Sequence, residues 1–245
     1  ALEACGGLMS GYERPHLDVI ARIDDNLRVA LARLLVIEPS AGLELAASLF
    51  PAWWLRGRPR EGSAWVERAL SAAPDAPAAL RAAARFAHGF LIAQDTEDWA
   101  AAARSIDLGI ELLAGVSEPP AILGMLLCLR AECEVESGDV KSALPRASQG
   151  LAIVRRHPDA RGGWTEIFTV FQVANAKRAE GDLEAALALF TECAEVSRRA
   201  GLFVGQIVAY NAVGELWEER GDLEKSRQAW EHALRCRQAI GAVDV

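Results

Sequence analysis

The sequence predicts an all-α protein, an array of antiparallel helix pairs, and three observations predict it. Ala and Leu are abundant while β-branched residues and Tyr are sparse, which favours helix. A short joint recurs in one frame: Gly138-Asp139, Gly181-Asp182 and Gly221-Asp222, with Gly57 and Glu97-Asp98 upstream. The anchors at 57, 97, 138, 181 and 221 are 40, 41, 43 and 40 residues apart, and a fixed period of this size marks a repeat architecture. Between joints, apolar residues fall at helical spacing, as at Ile167, Val170, Phe171 and Ala174.

The joint has a mechanical explanation. Glycine takes the left-handed position that ends one helix, and the aspartate after it caps the next by accepting orphan N–H groups. Its charge also suits the positive end of the helix dipole. Gly-Asp is therefore read as punctuation rather than as a ligand site.

Taken in order, residues 1–245 read as one repeat domain. An N-terminal helical region, 1–38, holds a long helix through Asp25, Asn26, Leu27 and Arg28. Helix pairs follow at about 40–74, 76–115, 118–157, 163–200 and 203–241. In the first pair Pro51 interrupts the inner helix; either it bends the helix and exposes Trp53 and Trp54, or the helix begins again after it. In the third pair Pro145 lies inside a helix and is expected to bend it. The fourth and fifth pairs place Phe190 and Trp230 nine residues after their glycines, and Trp65, Trp217 and Trp230 read as core packing.

Composition and motifs exclude several classes. A net charge of −8 argues against a nucleic-acid surface and against an anionic membrane. No stretch offers about 20 uninterrupted apolar residues. The five cysteines, Cys5, Cys128, Cys133, Cys193 and Cys236, are odd in number and widely spaced, which suggests reduced thiols and a cytoplasmic location. His16, His88, His157 and His232 have no partners at metal-ligand spacing. No phosphate-binding loop, nucleophile elbow or convergent acid–base pair is present, so neither catalysis, a metal nor a cofactor is expected. The first residue is Ala, which suggests a piece of a longer chain.

These joints, with Tyr210, Gly214, Trp217, Ser226, Trp230 and Ala233 in the last unit and Ala174, Ala186, Phe190 and Cys193 in the one before, resemble the tetratricopeptide repeat family. The period departs from that family's 34 residues, so longer helices are expected. The resemblance implies a right-handed superhelix whose first helices line a concave, ligand-binding face. On that frame the inward positions are Trp54, Leu91, Gln94, Met125, Cys128, Glu132, Phe168, Phe171, Asn175, Arg178, Asn211, Glu215 and Glu218. An asparagine amide both donates and accepts, so Asn175 and Asn211 are candidates to hold a peptide backbone, with Phe168 and Phe171 beside them; ordinary solvated asparagines are the alternative. Glu132, Glu215 and Glu218 suit a basic or neutral partner.

A second resemblance covers residues 15–80. Asp25-Asn26-Leu27-Arg28, then Trp53, Trp54, Arg56, Gly57, Glu61, Gly62, Trp65, Glu67, Arg68, Ala69 and Leu70, are similar to the helical repeat region of bacterial AfsR-like and LuxR-type signalling ATPases. It implies a non-catalytic sensor for a protein, peptide or small-molecule effector, within a transcriptional regulator whose ATPase and DNA-binding domains lie elsewhere in the chain. A free-standing adaptor, or a homo-oligomer assembled through an uncapped end of the array, are the alternatives.

Overall fold

Every joint predicted from the sequence is a left-handed turn. Gly57, Gly138, Gly181 and Gly221 have φ of 65°, 86°, 87° and 77°. At the fifth joint, where the glycine is replaced, Glu97 adopts φ 53°, alone among described non-glycine residues in having a positive φ. The frame of the repeat thus imposes a backbone conformation that its local residue disfavours. After each of the four glycines, the next residue's N–H donates to a carbonyl five positions back: Arg58 to Trp53, Asp139 to Glu134, Asp182 to Lys177 and Asp222 to Trp217. This is the Schellman closure. Asp98, Asp182 and Asp222 then accept from the N–H three residues ahead, at 2.8, 3.2 and 3.1 Å.

The structure, a computed structural model, describes residues 13–240. They form thirteen α-helices, α1 Glu13–Arg22, α2 Asp24–Ile37, α3 Pro39–Ser48, α4 Phe50–Leu55, α5 Pro59–Ala72, α6 Ala78–Thr96, α7 Trp99–Glu111, α8 Ala121–Glu136, α9 Val140–Val154, α10 Trp164–Ala179, α11 Leu183–Ala200, α12 Phe203–Glu219 and α13 Leu223–Ile240. A single 3₁₀ turn, Pro158–Ala160, lies before α10, and no strand occurs among the described residues. Cys5 lies outside them; Cys128, Cys133, Cys193 and Cys236 are buried.

Three local expectations are settled here. The helix expected through Asp25 to Arg28 is α2, set off from α1 at Ile23, whose φ −110° and ψ 13° leave the helical region. At Pro51 the helix begins again: α3 ends at Ser48 and Pro51 sits in the first turn of α4, where a missing N–H costs nothing. Trp53 is consequently buried, with Gly62 so close that a Cβ there would meet its ring at 2.7 Å. Pro145 does not break α9, which runs on from Val140 to Val154; the residue lies on the exposed side.

Small residues let successive pairs pack closely. α8 and α9 cross at Gly124 and Gly150, where a Cβ on either would come within 2.5 Å of the other's carbonyl oxygen. Phe190 is fully buried, its ring 5.0 Å from that of Phe171. Trp230, its counterpart in the last pair, covers Gly214 yet remains 40 % exposed, because no further described helix packs over α13. It therefore departs from the core role expected of it.

The N-terminal helices are fixed by charge. Asp24 of α2 pairs with Arg28, Arg56 and Arg58, and Arg28 and Arg58 both reach Glu61 of α5. Burial opposes ionisation of Asp24 and Glu61, but the arginines outweigh it and hold both carboxyls below their ordinary range. Asp24, Arg28, Arg56 and Glu61 thus act together as a clasp between α2 and the joint before α5.

Candidate functional site

The inner face of the array is aromatic, and its rings touch across the superhelix. Trp54 of α4 lies edge-on to Phe90 of α6 at 5.2 Å between centroids, and 5.8 Å from Trp164 of α10. Phe168, one turn beyond Trp164, is 6.0 Å from it and 5.5 Å from Phe86. The first pair therefore meets the fourth. Leu17 and Leu55 likewise share a small cavity, about 100 Å³, with Val204, Ile207 and Ile240 of the fifth. Much of the concave side is filled by the chain's own side chains, and what remains is a set of separate cavities.

The largest, about 560 Å³, is lined by Phe50, Phe86, Met125 and Trp164 with Glu44 and Arg161 at its polar side. Next to it, about 130 Å³ lie between Trp54, Phe90, Trp164, Phe168, Phe171 and Glu132. A third, about 400 Å³, is polar, with Glu132, Glu136, Asn175, Arg178 and Glu219 on its walls. Glu132 borders both the second and the third.

Glu132 is the electrostatic centre of this region. Gln172 Nε2 donates to its Oε2 at 2.7 Å, and Asn175 Nδ2 donates to Gln172 Oε1 at 3.1 Å. Burial, reinforced by the charge of Glu136 and opposed by the bond from Gln172, pushes its pKa up to about 7. Arg178 does not neutralise it, because its guanidinium is engaged by Glu215 at 2.7 Å and by Glu219. Trp164 Nε1 is buried and has no acceptor within the described protein.

The positions expected on the inner face fare differently. Trp54, Phe168, Phe171 and Glu132 meet at one cavity, and Gln94 joins them by accepting from Trp54 Nε1 at 3.1 Å. Met125 borders the largest cavity, though only 8 % exposed. Leu91 is fully buried against Gly62 of α5, in the preceding pair, and lines none of these cavities. Cys128 is also buried, its thiol 3.4 Å from the Ala147 carbonyl and its pKa driven upward by burial. Asn175 and Asn211 do not act together: Asn175 lines the polar cavity, and Asn211 the small one beside Leu17. Glu219, not Glu218, meets Arg178, since adjacent residues diverge by about 100° on a helix. Glu215 is exposed apart from that ion pair.

Trp164, Phe90 and Gln172 were missed by the frame. For Trp164 and Gln172 the signal is present in "WTEIFTVFQ", where Trp164, Phe168, Phe171 and Gln172 recur at helical spacing. Elsewhere, His88 is buried and bonded through Nδ1 to Ser105 Oγ at 3.0 Å, a packing role. No cluster of three metal-ligating side chains occurs among the described residues, and none of their helices is long and apolar enough to cross a membrane.

Comparison with solved structures fixes the architecture. A putative kinesin light chain of Podospora anserina with TPR-like repeats superposes with a TM-score of 0.54 at 14% identity, covering 83% of this chain and 97% of that one. The fold is a tetratricopeptide-like solenoid. This solenoid is also similar to BtubC (BKLC) of P. vanneervenii, with a TM-score of 0.62 at 15% identity, covering 94% of this chain and 92% of that one. The apo form of RapI gives 0.58 at 14% identity, with 88% and 90% covered. At these identities the likeness speaks for fold alone. No protein-family model matches the sequence, and no curated protein matches it.

Proposed function

We propose that the chain is a non-catalytic binding module whose inner face holds a protein, peptide or small effector. One observation carries this reading: a carboxylate, three amide side chains and five aromatic rings, drawn from α4, α6, α8 and α10, converge on two cavities that share Glu132. Such a set offers shape and hydrogen bonds but no nucleophile with an activating base. The walls carry Glu132, Glu136 and Glu219 against a single, already paired Arg178, which favours a basic or neutral ligand.

The resemblance of residues 15–80 to signalling ATPases supports placing this module in a larger bacterial transcriptional regulator, with ATPase and DNA-binding domains elsewhere and ligand binding altering its contact with them. Sequencing the flanking gene tests that context. A nucleotide-binding module upstream supports it, while a start and a stop at the ends of this sequence leave a free-standing adaptor. The binding reading itself is tested by a thermal-shift screen of peptides and metabolites, repeated on Asn175→Ala and Phe171→Ala. A stabilising compound whose effect survives both substitutions removes the inner face as the site.

Self-association is favoured by a different observation. Leu223, Trp230 and Leu234 of α13 are 68%, 40% and 54% exposed, at the end of the array that no described helix covers. Sedimentation velocity over a range of concentrations tests it; a monomer throughout rejects it.

A further inference from the structure

The cavity bounded by Trp54, Phe90, Trp164, Phe168 and Phe171 is small, and its composition is unusual. Of the chain's seven Trp and seven Phe residues, five stand around this one space of about 130 Å³. At about 130 Å³ the space suits a compact head group rather than a whole peptide. A purely apolar occupant needs no charge on the wall, yet the wall carries the carboxylate of Glu132. That carboxylate receives one neutral hydrogen bond, from Gln172, and no ion pair from a described residue. The arginine that shares its polar side, Arg178, is taken by Glu215 and Glu219. An anion is disfavoured there by Glu132 and Glu136 together.

We infer that this cavity is an aromatic cage for an organic ammonium group, with Glu132 as its counter-charge. Ring faces attract a cation through their quadrupole, and the attraction grows when water is excluded. The ammonium head occupies the ring-lined space, beside the Glu132 wall that this cavity shares with the polar one. The partly buried carboxylate then has a purpose, since a bound cation supplies the pairing that the folded chain does not. This inference rests on the binding reading above and specifies the chemistry of its ligand.

Calorimetric titration of the full chain with choline, and with its uncharged carbon isostere dimethylbutanol, tests the cage. Choline is expected to bind at least about tenfold more tightly than the isostere, the ratio expected of a desolvated cation–aromatic contact with a nearby carboxylate. Glu132→Gln, checked for an unchanged helical spectrum, should weaken choline by about tenfold and leave the isostere unaffected. Phe171→Leu, which keeps an apolar side chain, should weaken choline more than the isostere. Equal affinity for the two compounds, or no binding of choline at millimolar concentration, overturns the proposal. A peptide bearing trimethyl-lysine, titrated in parallel, separates the sources: tighter binding than choline identifies a peptide side chain, and weaker binding a free amine. Should choline fail while a screened compound still depends on Asn175 and Phe171, the cage falls and the wider reading stands.

Discussion

The indole of Trp54, in the first helix pair, lies 5.8 Å from that of Trp164, in the fourth. Solenoid units ordinarily touch only their neighbours. Here a bridge of aromatic rings joins distant units, so the inner face serves both as candidate binding surface and as core. Trp54→Ala removes the contacts with Phe90 and Trp164 and the hydrogen bond to Gln94. It should cost about 3 kcal/mol in denaturant unfolding. A loss under about 1 kcal/mol would show that the bridge contributes little to stability.

The joint at Glu97 should be improvable. Glu97→Gly places the residue that tolerates left-handed φ where the frame already demands it, and should add about 1 kcal/mol. The reverse change, Gly181→Ala, should cost about 1–2 kcal/mol. Nothing lies within 4 Å of the added Cβ at Gly181, so the loss is backbone strain and not a clash. Thermal melts of the two variants shifting in the same direction would contradict this.

Glu132 makes stability depend on pH near neutrality. Its pKa is raised from 4.5 to about 7, so between these values the folded chain holds a proton that the unfolded chain has released. Stability therefore falls as pH rises through that window and is lowest above it. Glu132→Gln should remove the fall, gaining up to about 3 kcal/mol at high pH and almost nothing below pH about 4. Urea unfolding of both proteins across this range measures it; a difference independent of pH would exclude titration of Glu132 as the cause.

The clasp at Asp24 has the opposite sign. Its carboxyl is held below the ordinary range, so its contribution is present above the unfolded value and lost as pH falls through the folded one. Asp24→Asn should cost about 1–3 kcal/mol at neutral pH, since it leaves Arg28, Arg56 and Arg58 short of a charged acceptor. The penalty should shrink in acid. Retention of the full penalty at low pH would assign it to shape rather than to charge.

How much of this was legible before any coordinates follows from the range of each signal. The joints are local: a glycine, an aspartate and a period suffice, and even the replaced glycine at Glu97 kept its place in the frame. What the repeat frame could not supply was rotation and closure. Leu91 and Cys128 occupy nominally inward positions but turn into neighbouring helices at Gly62 and Gly150, where glycine opens room for them. The approach of α4 to α10 depends on curvature accumulated over several units, and no short stretch of sequence encodes it. Hence Trp54 and Phe171 were expected at the inner face, while Trp164 between them was not.

Closure of the first pair onto the fourth also bears on biosynthesis. Trp54 leaves the ribosome well before Trp164, and at about 5–20 residues per second its partner follows several seconds later. Through that interval the side of Trp54 that meets Trp164 stays uncovered, although Phe90 already packs against it. The first helix pair has therefore exchanged the piecemeal folding open to most repeat arrays for a step that waits on synthesis of the fourth.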